Sequence, residues 1–126
     1  MSRGKLIQNG VHLEEHEYKT VKLFLEVGYD IELLPKSTIK DYHQGDFIMD
    51  GVEWEAKSPI GKGKYNVQNK IQEAARQSCN IVIDLRRSKM MEEKAVDLYK
   101  KEFLKSNGLK RMKIIKKSCE ILDFSK

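Results

Sequence analysis

Asp46, Glu55 and Lys57 are the residues of this 126-residue chain whose types and spacing most directly suggest chemistry. They lie in "GDFIMDGVEWEAKSP", residues 45–59, which reads as two short strands around Asp50-Gly51. An Asp-Gly pair flanked by apolar residues at alternate positions is a strong two-residue hairpin signal. That turn sets Met49 opposite Val52, Ile48 opposite Glu53, Phe47 opposite Trp54 and Asp46 opposite Glu55. Side chains alternate along a strand, so Phe47, Met49, Val52, Trp54 and Ala56 share an apolar face. Asp46, Ile48, Glu53, Glu55 and Lys57 share the other. Cross-strand Cβ atoms lie about 4.5–5.5 Å apart, and like charges so placed destabilise a sheet. A divalent cation offsets the repulsion, because Mg²⁺ takes one or two carboxylates together with water and substrate phosphate. Lys57, one pleat beyond Glu55, can hold an attacking water or a phosphate. The plainer alternative is a solvated face on which Lys57 pairs with Glu55. Trp54 falls on the core face, which removes it as a base-stacking platform.

Two further features bear on this group. Glu17 lies four residues from both Leu13 and Val21, inside an apolar helical stripe, and a carboxylate aimed at a core needs a partner. It can reach the same cation directly or through water, or it can turn out to solvent from the stripe's edge. Glu14 and Glu15 lie further round that helix. "SPIGKGK", residues 58–64, follows the lysine strand. Its glycines allow close approach to a phosphate backbone, with Ser58, Lys62 and Lys64 as contacts. It matches neither the Walker A pattern nor the dinucleotide fingerprint. Arg86 and Arg87 are further phosphate candidates, since the guanidinium fork fits phosphate; an Asp84–Arg ion pair is the structural alternative. Gln77 ends a helix and can orient a water or a base. His12 and His16 are four apart with no third zinc ligand evident, and His43 precedes Asp46 in a loop.

The elements that must position these residues follow from periodicity. Residues 12–27 have a helical stripe of Leu13, Val21 and Phe24, with Tyr18 and Leu25 beside it, and Gly28 closes the helix. "YDIELLP" is a strand stopped by Pro35, and 36–45 is a polar loop. Residues 66–79 form a second helix capped by Asn66, with Val67, Ile71, Ala74, Ala75 and Ser78 inward. "NIVIDL" has no alternation and reads as a strand buried on both faces. Residues 91–108 form a third helix, and "KRMKIIKK" and "CEILDF" a closing strand pair. The expected order is α-β-β-β-α-β-α-β-β, an α/β (α+β) fold with helices flanking one mixed sheet. Residues 1–10 read as a loose arm and 11–126 as one domain.

Composition sets the bounds. Apolar residues make up 40% and charged residues 34%, the balance of a soluble globular domain. Apolar runs are too short to span a bilayer, and the N-terminus lacks a secretory h-region, so no membrane partner and a cytoplasmic location are expected. Net charge is +5, and residues 85–126 hold 13 Lys/Arg against 6 Asp/Glu, which favours a polyanionic partner. Cys79 and Cys119 fit no zinc spacing and read as reduced, packed thiols.

Asp46, with Glu55 nine positions later and then x-Lys57, resembles the PD-(D/E)xK nuclease superfamily, with Gly45 where that superfamily usually has proline. The helix carrying Glu17 and the following helix carrying Gln77 match the places that resemblance implies. A broader pattern, "HE" at 16–17, residues 46–61, "AARQSCNIVIDLRR" at 74–87 and the closing "KIIKK", resembles the C-terminal tRNase domain of CdiA-type contact-dependent inhibition toxins. That resemblance implies a ribonuclease, with tRNA as the substrate class and a cognate immunity protein as partner. Some toxin tRNases are metal-independent and cleave RNA through its own 2′-OH; here His16, Lys57, Ser58, Arg86 and Arg87 would carry that chemistry. The facing carboxylates favour the metal-dependent form: Asp46 and Glu55 hold Mg²⁺ or another divalent cation, Glu17 contributes, and Lys57 assists the attacking water. A DNA endonuclease and a non-catalytic nucleic-acid-binding module remain alternatives.

Overall fold

Chain order and sheet order coincide. In the computed structural model, which describes residues 2–36 and 44–126, seven strands lie side by side in the order in which they occur along the chain. They are β1 (Leu6–Ile7), β2 (Ile31–Leu33), β3 (Phe47–Met49), β4 (Val52–Lys57), β5 (Asn80–Asp84), β6 (Arg111–Ile115) and β7 (Ile121–Ser125). The helices are α1 (Glu15–Val27), α2 (Lys64–Gln77) and α3 (Glu92–Lys105). Pairs β1–β2, β4–β5 and β5–β6 are parallel, while β2–β3, β3–β4 and β6–β7 are antiparallel. The expected α+β fold with a mixed sheet is therefore present, with one strand more than the periodicity reveals. His43 and most of the polar loop over 36–45 lie outside the described residues.

The extra strand is β1. Residues 1–10 were expected as a loose arm, but Gly4 donates its N–H to the Leu25 carbonyl at 2.7 Å. The Ile31 N–H in turn donates to the Lys5 carbonyl at 2.9 Å. Two residues are too few to show alternation, which is why the strand escapes a periodicity reading.

Each face of the sheet has its own core. Val21, Phe24 and Leu25 of α1 pack on Ile31, Leu33, Phe47, Met49, Trp54, Val82 and Ile115. On the other face Val67, Ile71 and Ala74 of α2 and Ala95, Tyr99 and Phe103 of α3 cover Ile81, Ile83, Met112 and Ile114. All five residues of β5 are buried, as its unbroken apolar run requires. Tyr18, expected beside the α1 stripe, is 44% exposed, and the buried neighbour is Thr20. Asn66 does not cap α2, which begins two residues earlier after Gly63. Both cysteines are free, but Cys119 is exposed in a turn at φ 72°, not packed.

Candidate active site

The hairpin folds in the expected register, with Phe47 opposite Trp54, Ile48 opposite Glu53 and Met49 opposite Val52. Asp50 and Gly51 take φ values of 57° and 76°, the paired left-handed geometry that an Asp-Gly turn supplies. Trp54 is fully buried and donates its indole N–H to the Met49 carbonyl at 2.8 Å. This anchors the apolar face and turns Glu55 and Lys57 to the other.

Asp46 and Glu55 meet as expected. Asp46 lies just before β3, where its N–H donates to the Trp54 carbonyl at 2.7 Å and its Oδ2 accepts from the Ala56 N–H at 2.9 Å. Glu55 is 7% exposed and faces Asp46 across the hairpin. Burial, then the Asp46 charge, push the Glu55 carboxyl from its ordinary 4.5 up to about 8, against the opposing pull of Lys57. Burial also raises Asp46, with the Glu17 charge adding to it. Two carboxyl groups so close, both raised by burial, titrate as a pair.

Lys57 Nζ lies 3.5 Å from Glu55 Oε2 and 3.5 Å from Glu73 Oε2, and Glu73 is shared with Lys70 at 3.6 Å. The side chains thus form an alternating chain, Glu55–Lys57–Glu73–Lys70, across β4 and α2. A pocket of about 320 Å³ opens over it, lined also by His16, Glu17, Lys36, Asp46, Ser58 and Arg87. On the far side of the carboxylates a second pocket, of about 490 Å³, is lined by Asp46, Glu55, Glu17, His12 and Gln77. Gln77 is therefore at the site.

Other expected residues are placed differently. Glu17 lines both pockets, but its Oε1 accepts the Glu14 N–H at 2.9 Å and helps close the first turn of α1. Among the described residues no group of three or more His, Cys, Asp or Glu side chains converges to hold a metal, so Glu17 does not stand with Asp46 and Glu55 as a preformed third ligand. The donor set does fit a cation of the Mg²⁺ type: two adjacent carboxyl groups with a pocket beside them for water and phosphate oxygens. Lys62 and Lys64 are exposed at the start of α2 and line neither carboxylate pocket. Arg86 forms the ion pair that was the structural alternative, donating to Asp84 through Nη2 at 2.8 Å and Nε at 3.0 Å. Arg87 Nη2 donates to the Ser58 carbonyl at 2.8 Å.

Sequence reasoning missed Glu73, Lys70, Lys36 and Thr20. Lys70 and Glu73 each precede an inward residue of α2, Ile71 and Ala74, and this position on the rim of a stripe is the signal that could have found them. Thr20 donates its hydroxyl to Asp84 Oδ2 at 2.6 Å and so couples α1 to the end of β5.

The family model for the contact-dependent growth inhibition CdiA C-terminal domain matches residues 43–121. No curated protein matches the chain. The fold is similar to a chain of the CdiA-CT/CdiI toxin and immunity complex from Burkholderia pseudomallei, with a TM-score of 0.73 and 16% identity. That alignment covers 98% of this chain and 100% of the other. With more than half of its length inside the family model, the chain belongs to the contact-dependent growth inhibition CdiA C-terminal domain family, whose members are toxin domains of nuclease type.

Proposed function

We propose that the chain is an endoribonuclease of PD-(D/E)xK type that cleaves tRNA in the cytosol of a target cell. The observation that carries this reading is the Asp46–Glu55 carboxyl pair, half-buried at Asp46 and buried at Glu55, with Lys57 beside it at the floor of an open pocket. Such a pair is costly without a cation, and a nuclease has a use for one. Asp46 and Glu55 would hold Mg²⁺ or a similar ion once Glu55 releases its proton, with Glu17 acting through water. When bound, the ion would lower the pKa of water and neutralise charge on the phosphate. Lys57, steadied between Glu55 and Glu73, holds the attacking water against the phosphate. Water adds to phosphorus, the bond to one ester oxygen breaks, and that oxygen leaves with a proton. Lys36, Lys70 and Arg87 line the same pocket and supply charge for the backbone. Lys62 and Lys64 would meet the substrate further out. A cognate immunity protein, of the kind named in the Burkholderia pseudomallei complex, would be its partner.

A metal-independent reading is also supported by one observation: His16, Lys57, Ser58 and Arg87 line a single pocket. In that case the RNA 2′-OH would be the nucleophile and His16 the proton carrier. Purified protein incubated with total tRNA and with plasmid DNA, each with Mg²⁺ and with EDTA, separates the readings. We expect tRNA cleavage that EDTA stops. Cleavage that survives EDTA moves the chemistry to the His16 set, plasmid cleavage makes the enzyme a DNA endonuclease, and no cleavage leaves a binding module. Lys57→Ala should abolish turnover, a loss of at least about 10²-fold, with an unchanged melting temperature. Retained turnover in that variant would sink the role given to Lys57.

A further inference from the structure

The carboxylate pocket has a neighbour on the side of β5. A cavity of about 470 Å³ lies over the C-terminal ends of β4 and β5, and His16, Ser58 and Arg87 line both spaces. Its remaining walls are Glu15 and Lys19 of α1, and Asp84 and Arg86. Arg86 is fixed there. Its Nη2 donates to the Lys19 carbonyl at 3.0 Å as well as to Asp84, and Asp84 is itself held by Thr20. Burial pushes the Asp84 carboxyl up, but the hydrogen bonds from Arg86 and Thr20 outweigh it and leave it below its usual value. The Asp84 charge is thus matched by Arg86.

The charges left to the cavity are Lys19, Arg87 and Glu15. Lys19 Nζ pairs with Glu15 Oε1 at 3.4 Å, with both side chains more than half exposed. Such surface pairs contribute little and exchange readily. Arg87 forms the ridge between the two spaces, with one arm on the Ser58 carbonyl. An incoming phosphate therefore meets two exposed cations, Arg87 held on the Ser58 carbonyl and Lys19 on α1, and a single solvent-exposed carboxylate that can turn away. Open α/β sheets commonly place ligands outside the carboxyl ends of their strands, which is where both spaces lie.

We propose that this second cavity is a subsite for the phosphate next to the scissile one, so that a nucleic-acid strand crosses from the end of β4 to the end of β5. The identity of the scissile phosphate rests on the nuclease reading; the capture of a flanking phosphate by Lys19 and Arg87 does not. Phosphate contacts fix register without reading sequence. The subsite would therefore set how the strand lies across Lys57 rather than which base is chosen.

The test is binding of short oligoribonucleotides, lengthened one phosphate at a time, by protein carrying Lys57→Ala to prevent turnover. In that parent the affinity should step up when the flanking phosphate is added. Adding Lys19→Glu, on an exposed helix surface, should remove the step, about a five- to tenfold loss for the longer oligomers. The slope of log affinity against log salt should also fall by about 0.7, the single-strand value for one phosphate contact. An unchanged step and slope in a variant with native melting temperature would overturn the subsite. So would failure of the parent to bind any oligomer. A wild-type protein that cleaves nothing, in the presence of an intact length step lost in Lys19→Glu, would instead overturn the nuclease reading and leave the subsite standing.

Discussion

Glu55 keeps its proton at neutral pH because it is buried and faces Asp46, and this makes the fold itself sensitive to pH. The carboxyl titrates near 4.5 in the unfolded chain and near 8 in the folded one. Between those values the folded state binds the proton that the unfolded state has lost, so stability falls as pH rises. The contribution is fully present below about 4.5 and is lost by the time pH passes about 8. Asp46, also raised, acts in the same direction. Thermal unfolding followed across that window without divalent cation should show a falling midpoint, and Glu55→Gln should flatten the fall. Mg²⁺ or Mn²⁺ should raise the midpoint at the alkaline end, and its binding near neutral pH should release a proton, both lost in Glu55→Gln. A flat profile in the wild type would show that Glu55 does not keep its proton at neutral pH. Asp46, Glu55 and Lys57 were legible because one hairpin contains all three. Glu73 and Thr20 were not, because each meets its partner only after a helix has docked on a different strand.

Elements explain why the glycine at 45 precedes the aspartate. A Cβ there would lie 2.5 Å from the Trp54 carbonyl oxygen, the atom to which the Asp46 N–H donates. Gly45→Ala should cost about 1–3 kcal/mol by overpacking. It should also lower any cleavage activity by more than the stability loss explains, since Asp46 moves with the backbone. Denaturant unfolding and kinetics on the same sample check both; wild-type values in each would show that the close approach relaxes freely. The hairpin, three helices and the buried β5 were readable from turn chemistry and periodicity. The start of α2 was not: Asn66 is a good cap by type, but Gly63 precedes the helix and Asn66 lies within its first turn. Short strands such as β1 depend on backbone pairing with a neighbour, which leaves no pattern in the side chains.

The whole molecule is one sheet with a separate core on each face, and the continuous pairing from β4 to β5 joins them. Truncation on either face should therefore lower the same unfolding transition. Phe24→Ala and Phe103→Ala, each at a fully buried residue, should each cost about 3–5 kcal/mol. Calorimetry should show one peak in both variants; two peaks in either would mean that the faces melt independently. The agreement of strand order with chain order has a consequence for how the molecule is made. Every new strand pairs with the strand just before it, so no early segment must wait for a distant one. Closure is cheapest in the hairpins β3–β4 and β6–β7, while the parallel pairs β1–β2, β4–β5 and β5–β6 each close over a helix and cost more. A chain released from its N-terminal end, from a ribosome or through a narrow opening, can grow this sheet by successive edge addition, and the last strands added complete the core beneath α3.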